Sequence, residues 1–186
     1  LEKKKNCYQI ELQDNTDLFN RFLIGDVSDP LLDNFYEDKQ GILLFHYHCQ
    51  ADEMWSFVKK KSNKKWIWLA MNTANRQIIG FHIGDRSAAD ALKLWESIPN
   101  IFKKSTTFFT DYWDAYASVI PKKQHMPLGK DSGFTNHIER FNLTLRQRVS
   151  RLVRKNLAFS KKEKNHVGAI KYFICNYNQE VLKRKL

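Results

Sequence analysis

The pattern of hydrophobic and polar residues predicts strands between residues 42 and 85 and mostly helices after residue 87, whereas residues 1–45 are the least informative part of the chain. Stretches rich in β-forming residues lie at 42–47, 48–58, 65–73 and 77–83. Polar turns separate the last three of these stretches. Because short turns join antiparallel neighbours, the pattern from residue 48 onward predicts a three-stranded antiparallel meander.

Helical periodicity begins after Ser87, which forms a capping box with Asp90, and Pro99 ends this first helix. The remaining predicted elements are a strand, a short helix, a further strand and two longer helices, at 105–110, 113–120, 123–128, 134–155 and 161–185. The order β-β-β-α-β-α-β-α-α predicts an α/β protein. Its mixed five-stranded sheet is antiparallel in the meander and parallel beyond it, with helices on both faces.

The helix predicted at 134–155 carries the most distinctive pattern. Its apolar stripe falls at spacings of three and four residues, at Ile138, Phe141, Leu145, Val149 and Leu152. Glu139 lies about 100° of rotation from this stripe, and Arg146 returns to nearly the same angle two turns later. An acid and an arginine so placed suit a metal ion and a phosphate. The alternative is a solvated ion pair, worth about 0.3–0.5 kcal/mol.

Composition predicts one folded domain, or one domain with an appendage. The chain has 186 residues, of which 42% are hydrophobic and 13% aromatic. We divide it into a poorly defined lead-in at 1–45, a central domain at 46–158 and a basic C-terminal helix at 159–186. No apolar run is long enough to span a bilayer, and three cysteines without CxxC spacing suit a reduced cytosol. The initial Leu suggests a fragment or a translated downstream reading frame.

Positive charge is concentrated toward the C-terminus. Residues 139–186 hold 13 Lys and Arg against 3 Asp and Glu, whereas residues 1–138 hold 18 against 17. A basic region on a near-neutral body predicts a polyanion partner, with nucleic acid favoured over a membrane surface or a merely solubilising face. The predicted DNA-binding residues are Arg140, Asn142, Arg146, Arg148, Arg151, Arg154 and Lys155.

Two further acids lie where strands can present ligands. Asp52 interrupts a strand, where an unpaired carboxylate is costly, and Asp111 follows the carboxyl end of the strand at 105–110. If these strands are neighbours, both acids face one crevice, and a helix crossing that edge would add Glu139. Three carboxylates beside a basic groove suit hard divalent cations. A pair of Mg²⁺ ions there could clamp the attacking and leaving oxygens of a phosphodiester.

Four blocks resemble the DDE transposases of bacterial insertion sequences, most closely the insertion sequence one family. The blocks are ADEMW, GDRSAADALKLW, TDYWDAY and HIERFNLTLRQRVSRLVRKNLAFSK, and the similarity extends over about residues 50–177. The resemblance implies a ribonuclease H-like fold for the central domain. It also implies a catalytic, metal-binding triad of Asp52, Asp111 and Glu139, with Mn²⁺ able to substitute for Mg²⁺, and a basic residue seven places after the Glu, here Arg146.

The resemblance further implies an activity: metal-dependent phosphodiester hydrolysis at element ends, then attack of the freed 3′-hydroxyl on target DNA. Expected partners are double-stranded DNA, both element ends and target, and further copies of the chain in the active complex. The expected location is the bacterial cytoplasm, at the nucleoid. An upstream zinc-binding and helix-turn-helix region, typical of full-length members, is expected to be missing here. Two alternatives stay open: a ribonuclease H-like nuclease without strand transfer, and a DNA-binding remnant without catalysis.

Other residues near these motifs receive more ordinary interpretations. Asn142 lies one turn after Glu139 and could orient it, contact DNA or be a simple surface residue. Trp113 and Tyr116 are expected to pack beneath the site rather than to stack on a splayed base. Glu53 is interpreted as a strand neighbour of the candidate acid, without a role of its own.

Overall fold

The computed structural model describes residues 35–37, 43–45, 47–104, 106–129, 132–153 and 157–183. The described strands and helices, in chain order, are β1 (Phe35–Glu37), β2 (Leu43–Phe45), β3 (Tyr47–Phe57), β4 (Lys64–Asn72), β5 (Ile78–Gly84), α1 (Ala88–Ser97), α2 (Asn100–Lys104), β6 (Thr106–Thr110), α3 (Asp114–Val119), β7 (His125–Pro127), α4 (Asn136–Arg148) and α5 (Glu163–Lys183). A 3₁₀ turn at Ser150–Leu152 follows α4. Most of the predicted lead-in lies outside the described residues.

A mixed five-stranded sheet, in the order β5-β4-β3-β6-β7, forms the centre of the molecule. Strands β3, β4 and β5 make an antiparallel meander, and β6 and β7 continue the sheet on the other side of β3 in parallel. The predicted α/β class and its ribonuclease H-like mixed sheet are therefore confirmed. The condition set for Asp52 and Asp111 is also met, because β3 and β6 are neighbours. Strands β1 and β2 pair separately as an antiparallel ribbon.

Strand β4 shows why the sheet needs cover on both sides. Its residues Ile67, Trp68, Leu69 and Ala70 are all fully buried, so side chains pointing to either face are shielded from water. A run of consecutive buried positions is typical of an interior strand between two helical layers. The two layers are formed by α1 and α3 on one face and by α4 and α5 on the other.

Helix α1 begins as the sequence predicts. The Ser87 side chain accepts a hydrogen bond from the Asp90 backbone N–H at 3.2 Å, which satisfies one of the unpaired donors of the first turn. At the other end, the Ser97 hydroxyl accepts from the Phe81 N–H at 3.0 Å and ties the helix to β5. Trp95 packs edge-on against Phe108 of β6.

Helix α5 packs against α4, its neighbour in the same layer, and against the edge of the sheet. Phe141 of α4 contacts the rings of Phe173 and Tyr177. The Asn178 side chain accepts from the Ile78 N–H and donates to the Ile78 carbonyl, so it pairs backbone groups at the start of β5. These contacts pack α5 against the sheet domain. Within the described residues, no helix is both long and apolar enough to cross a membrane.

The predicted extent of the long helix, residues 134–155, is wrong. Helix α4 ends at Arg148, and Val149 adopts an extended conformation with φ −87° and ψ 104° before the 3₁₀ turn. The predicted apolar stripe is buried as far as Val149. The helix ends where its packing against the sheet and α5 ends, although the helical periodicity of the sequence continues further. Arg151 consequently lies on the turn and not on α4, and Arg154 and Lys155 lie outside the described residues.

Candidate active site

Strand β3 holds the first candidate acid, Asp52, next to the start of α4. Asp52 and Gln50 point to the same face because side chains alternate along a strand. The Gln50 side-chain oxygen accepts from the Ile138 backbone N–H at 2.9 Å, in the first turn of α4. That bond satisfies a donor that an isolated helix would leave open, and it places the first turn of α4 over β3.

Asp111 directly follows the end of β6, the parallel neighbour of the strand that carries Asp52. The last paired residues of the two strands are Gln50 and Phe109. Two residues further along the chain come Asp52, still within β3, and Asp111, one residue past the end of β6. Because paired strands lie about 4.8 Å apart, a continued register would bring these two acids side by side where β6 ends. This is the carboxyl edge of β6, where open α/β sheets bind ligands.

The Asp111 carboxylate is held by the turn that follows it. Its Oδ1 accepts from the Trp113 backbone N–H at 3.1 Å, a local side-chain-to-backbone bond two residues along the chain. The intervening Tyr112 is 70% exposed. Asp111 itself is half-buried, so its carboxylate has access to water.

Glu139 lies in the first turn of α4, where the helix dipole favours an acid. Its side chain is exposed, and its Oε1 accepts from the Thr135 hydroxyl at 2.8 Å. Thr135 precedes the helix and is 5% exposed, so the carboxylate is held on a rigid segment. The preceding Gly133 has φ +73°, a left-handed conformation that glycine adopts without strain.

The three acids act on one another electrostatically. The pKa of Asp52 is raised from 3.8 to about 7, first by burial and then by the negative charge of Glu53. A backbone hydrogen bond at Glu53 opposes the rise, and the charges of Asp111 and Glu139 add to it. The negative charges of Asp111 and Glu139 therefore reach the region around Asp52.

Asn142 is a member of this region and not a simple surface residue. It is 7% exposed, and its Nδ2 donates to Asp52 Oδ2 at 2.7 Å. Its Oδ1 is buried and has no hydrogen-bond partner. An unpaired buried acceptor is uncommon in folded proteins, and here it belongs to an amide that contacts a candidate carboxylate. Of the alternatives left open by the sequence, its burial excludes the surface one.

The donors present match the chemistry of a hard divalent cation, although they do not form a closed cage. Among the residues the structure describes, no three His, Cys, Asp or Glu side chains are arranged to hold an ion together. Asp52 is engaged by Asn142 and Glu139 by Thr135. Mg²⁺ takes oxygen ligands and usually keeps several waters, with only one or two protein carboxylates bound. Carboxylates that repel one another and the unpaired Oδ1 of Asn142 fit such a water-rich site.

Glu53 has a structural environment that the sequence did not reveal. It points to the opposite face of β3, where its Oε1 accepts from Arg86 at 2.6 Å and its Oε2 accepts from the Tyr116 hydroxyl at 2.8 Å. Burial raises the pKa of Glu53, and the hydrogen bonds from Tyr116 and Arg86 oppose that rise. The alternation of Asp52 and Glu53 along β3 was the available signal that the two acids face different layers.

The aromatic residues after Asp111 are committed to packing, as the sequence analysis expects. Tyr116 is 2% exposed. The Trp113 ring stacks on Trp68, with centroids 5.2 Å apart. Neither ring is free to receive a base, whereas the exposed ring beside Asp111 is Tyr112, which the sequence analysis did not single out.

The predicted DNA-binding arginines differ in exposure. Arg140 and Arg148 are exposed on α4, whereas Arg146 and Arg151 are half-buried. Close to the end of α4, Arg151 and Lys161 line a surface cavity of about 440 Å³ together with Ser150, Phe159 and Asn165. Positive side chains therefore continue from α4 toward the start of α5.

Comparison with known proteins identifies the family of this chain. The family model described as "IS1 transposase" matches residues 47–179. The insertion element iso-IS1n protein InsB of Shigella dysenteriae is 36% identical over 126 residues, which are 68% of this chain and 92% of that protein. The insertion element IS1 protein InsB of Shigella flexneri is 33% identical with the same coverage. An InsB protein of Escherichia coli strain K12, that of insertion element IS1 4, is 30% identical over 68% of this chain and 72% of that protein. The chain belongs to the IS1 transposase family.

Proposed function

We propose that this chain is the catalytic part of a DDE-type DNA transposase, which hydrolyses phosphodiester bonds at element ends and joins the freed 3′-hydroxyl to target DNA. Asp52, Asp111 and Glu139 are its catalytic carboxylates. One observation carries the proposal: Asp52 on β3 and Asp111 just past β6 belong to adjacent parallel chain segments, and α4, which carries Glu139, is tied to β3 by the hydrogen bond from Ile138 to Gln50. Family membership supports the same assignment.

The cofactor in this proposal is Mg²⁺, as two ions, with Mn²⁺ as a substitute. Asp52, Asp111 and Glu139 would hold the ions, which when bound would activate the attacking oxygen and neutralise charge on phosphorus. Hard oxygen donors and the unpaired Oδ1 of Asn142 support this choice over a softer metal.

The chain's own groups prepare the site before any substrate enters. The Asn142 amide donates to one oxygen of Asp52 and so fixes the orientation of its carboxylate. The Trp113 N–H does the same for Asp111, and the Thr135 hydroxyl for Glu139. Each acid is thus oriented by one donor from its own element or a neighbouring one, and preorganised groups of this kind lower the reorganisation needed for catalysis.

Double-stranded DNA is the proposed partner, both as element end and as target. The net charge of +10 on residues 139–186 and the exposed Arg140 and Arg148 on α4 support a phosphate track leading to Glu139. Active complexes of several copies and a cytoplasmic location at the nucleoid complete the proposal.

The test uses an oligonucleotide with a 3′-hydroxyl element end and a circular target, with Mg²⁺ present. The variants Asp52→Asn, Asp111→Asn and Glu139→Gln should each lose cleavage and joining, because the amides are isosteric but bind Mg²⁺ poorly. DNA affinity and folding should be retained. The matched control is Glu96→Gln, which removes an exposed acid on α1, in the other helical layer.

Each outcome assigns a function. Cleavage without joining in the unmodified protein would favour a ribonuclease H-like nuclease. DNA binding without either reaction would favour a non-catalytic remnant. Full activity in one of the three variants would remove that carboxylate from the site.

A further inference from the structure

The buried ion pair behind the candidate site is arranged to fix one arginine. The Glu53 side chain is 2% exposed, and both of its oxygens are hydrogen-bonded. Oε1 accepts from Arg86 Nε at 2.9 Å and Nη2 at 2.6 Å, and Oε2 accepts from the Tyr116 hydroxyl at 2.8 Å. Because a buried carboxylate is costly unless it is fully paired, this set of bonds holds Arg86 in one geometry.

The guanidinium of Arg86 also contacts two indole rings. Its Cζ lies 4.3 Å from the centroid of Trp113 and 4.7 Å from that of Trp66. A planar guanidinium can stack on rings while its edge donates to a carboxylate, whereas a lysine ammonium can make only one of these contacts well. We call Glu53, Tyr116 and Arg86 the clamp. Because the Arg86 side chain is 42% exposed, the clamp extends from the buried Glu53 to the surface beside the turn after β6.

The residue held by this clamp is the one that orients Asp111. The Trp113 ring contacts Arg86 and stacks on Trp68, while its backbone N–H donates to Asp111 Oδ1. Strand β6 ends at Thr110, so Asp111 lies just past the strand, where its backbone carbonyl accepts from the Thr110 hydroxyl at 2.7 Å. Among its described hydrogen bonds, the one from Trp113 is the contact that fixes the carboxylate.

We propose that Arg86, braced by Glu53, is a positioning residue for Asp111, and that it acts through Trp113. This proposal rests on the proposed function for the role of Asp111. Its mechanical part, the coupling of Arg86 to the Trp113–Asp111 bond, does not depend on that function. The ion pair therefore does more than stabilise the fold: it sets the geometry of one catalytic carboxylate from the opposite face of the sheet.

Two variants test the clamp without leaving a buried charge unpaired. Arg86→Lys keeps the positive charge but loses the forked bonds and the stacking. The double variant Glu53→Gln with Arg86→Met removes both charges together. Ile79→Val serves as the stability control, because Ile79 is fully buried in β5 and the substitution costs about 0.5–1.5 kcal/mol without touching the clamp.

The first measurement is amide hydrogen exchange on the full chain, without metal or DNA. The exchange rate of a core amide such as that of Leu69 reports the change in global stability of each variant. In both clamp variants the exchange rate of the Trp113 amide should rise about tenfold more than that of the core amide. Ile79→Val should change both amides by the same factor.

The second measurement is turnover with element-end DNA and Mg²⁺. Loss of a supporting partner commonly costs about 10–100-fold in activity or metal affinity, so kcat should fall by that factor in the clamp variants and the half-saturating Mg²⁺ concentration should rise. KM for DNA should stay within about twofold, because the arginine is not on the proposed DNA track. Arg86→Lys should retain more activity than the double variant.

The outcomes separate the inference from the function on which it rests. Unchanged exchange at Trp113, or a loss of turnover no larger than that of Ile79→Val, would overturn the positioning role. Faster Trp113 exchange in a protein without metal-dependent cleavage would end the proposed function and still support the mechanical coupling.

Discussion

At the scale of single residues, the most informative group is Asp52. It is surrounded by charges of its own sign and by one neutral amide, Asn142, which donates to it. Folding thus places a carboxylate where it repels its neighbours, and that arrangement is costly in the absence of a cation. Such a cost is expected at a functional site and is not explained by packing.

Asp52→Asn is therefore expected to stabilise the metal-free protein. The pKa of Asp52 is raised to about 7 in the folded state from an ordinary 3.8, so ionisation opposes folding increasingly as pH rises between these values. The gain should be absent near pH 4 and reach about 1–3 kcal/mol at pH 8. Denaturant unfolding at several pH values measures it. The control Glu96→Gln should show no such pH-dependent gain, and an Asp52→Asn protein less stable than wild type at pH 8 would contradict the charge repulsion.

At the scale of elements, α4 would connect the proposed chemistry with the proposed DNA binding. Its first turn is tied to β3 through Gln50 and carries Glu139, its buried face carries Asn142, and its outer side carries exposed arginines. Because one rigid helix holds all three features, the catalytic acid and the phosphate contacts keep a fixed spacing. Binding and turnover should be separable by changing residues along this one helix.

The arginines of α4 should differ in what their loss removes. Arg140→Ala or Arg148→Ala should lower the slope of log K against log salt by about one and weaken binding to every duplex sequence alike. Arg146→Ala should in addition reduce turnover at saturating DNA, since its angle on α4 places it near Glu139. Affinities at several salt concentrations, with cleavage rates at saturating DNA, decide this.

The control for that series is Lys93→Ala on α1, in the other helical layer, which should leave the salt slope unchanged. A flat salt dependence of the unmodified protein would rule out the phosphate track. Normal saturated turnover in Arg146→Ala would reduce this arginine to an ordinary backbone contact.

At the scale of the whole molecule, features that follow from local pattern were predictable and features that depend on long-range packing were not. The order of strands and helices predicts the mixed sheet, and it makes Asp52 a neighbour of Asp111 only on the condition that β3 and β6 pair. The pairing of Glu53 with Arg86 joins residues 33 positions apart, with β4 and β5 between them, and no local pattern indicates it. The end of α4 at Arg148 likewise depends on packing, since helical periodicity continues beyond it.

The fold as a whole places Asp52 on β3, Asp111 just past the neighbouring β6 and Glu139 in the first turn of α4, the helix tied to β3. The central claim is that this edge holds divalent cations. Iron-directed cleavage of the backbone tests the claim directly, because Fe²⁺ in place of Mg²⁺ generates hydroxyl radicals that cut only nearby segments when ascorbate and peroxide are added.

We predict cuts in three segments: around Asp52, around Asp111 and in the first turn of α4 near Glu139. Excess Mg²⁺ should suppress all three, and Asp52→Asn should abolish them, whereas Glu96→Gln should leave them unchanged. Cuts in other segments, or the same three cuts in Asp52→Asn, would contradict a cation site formed by these carboxylates.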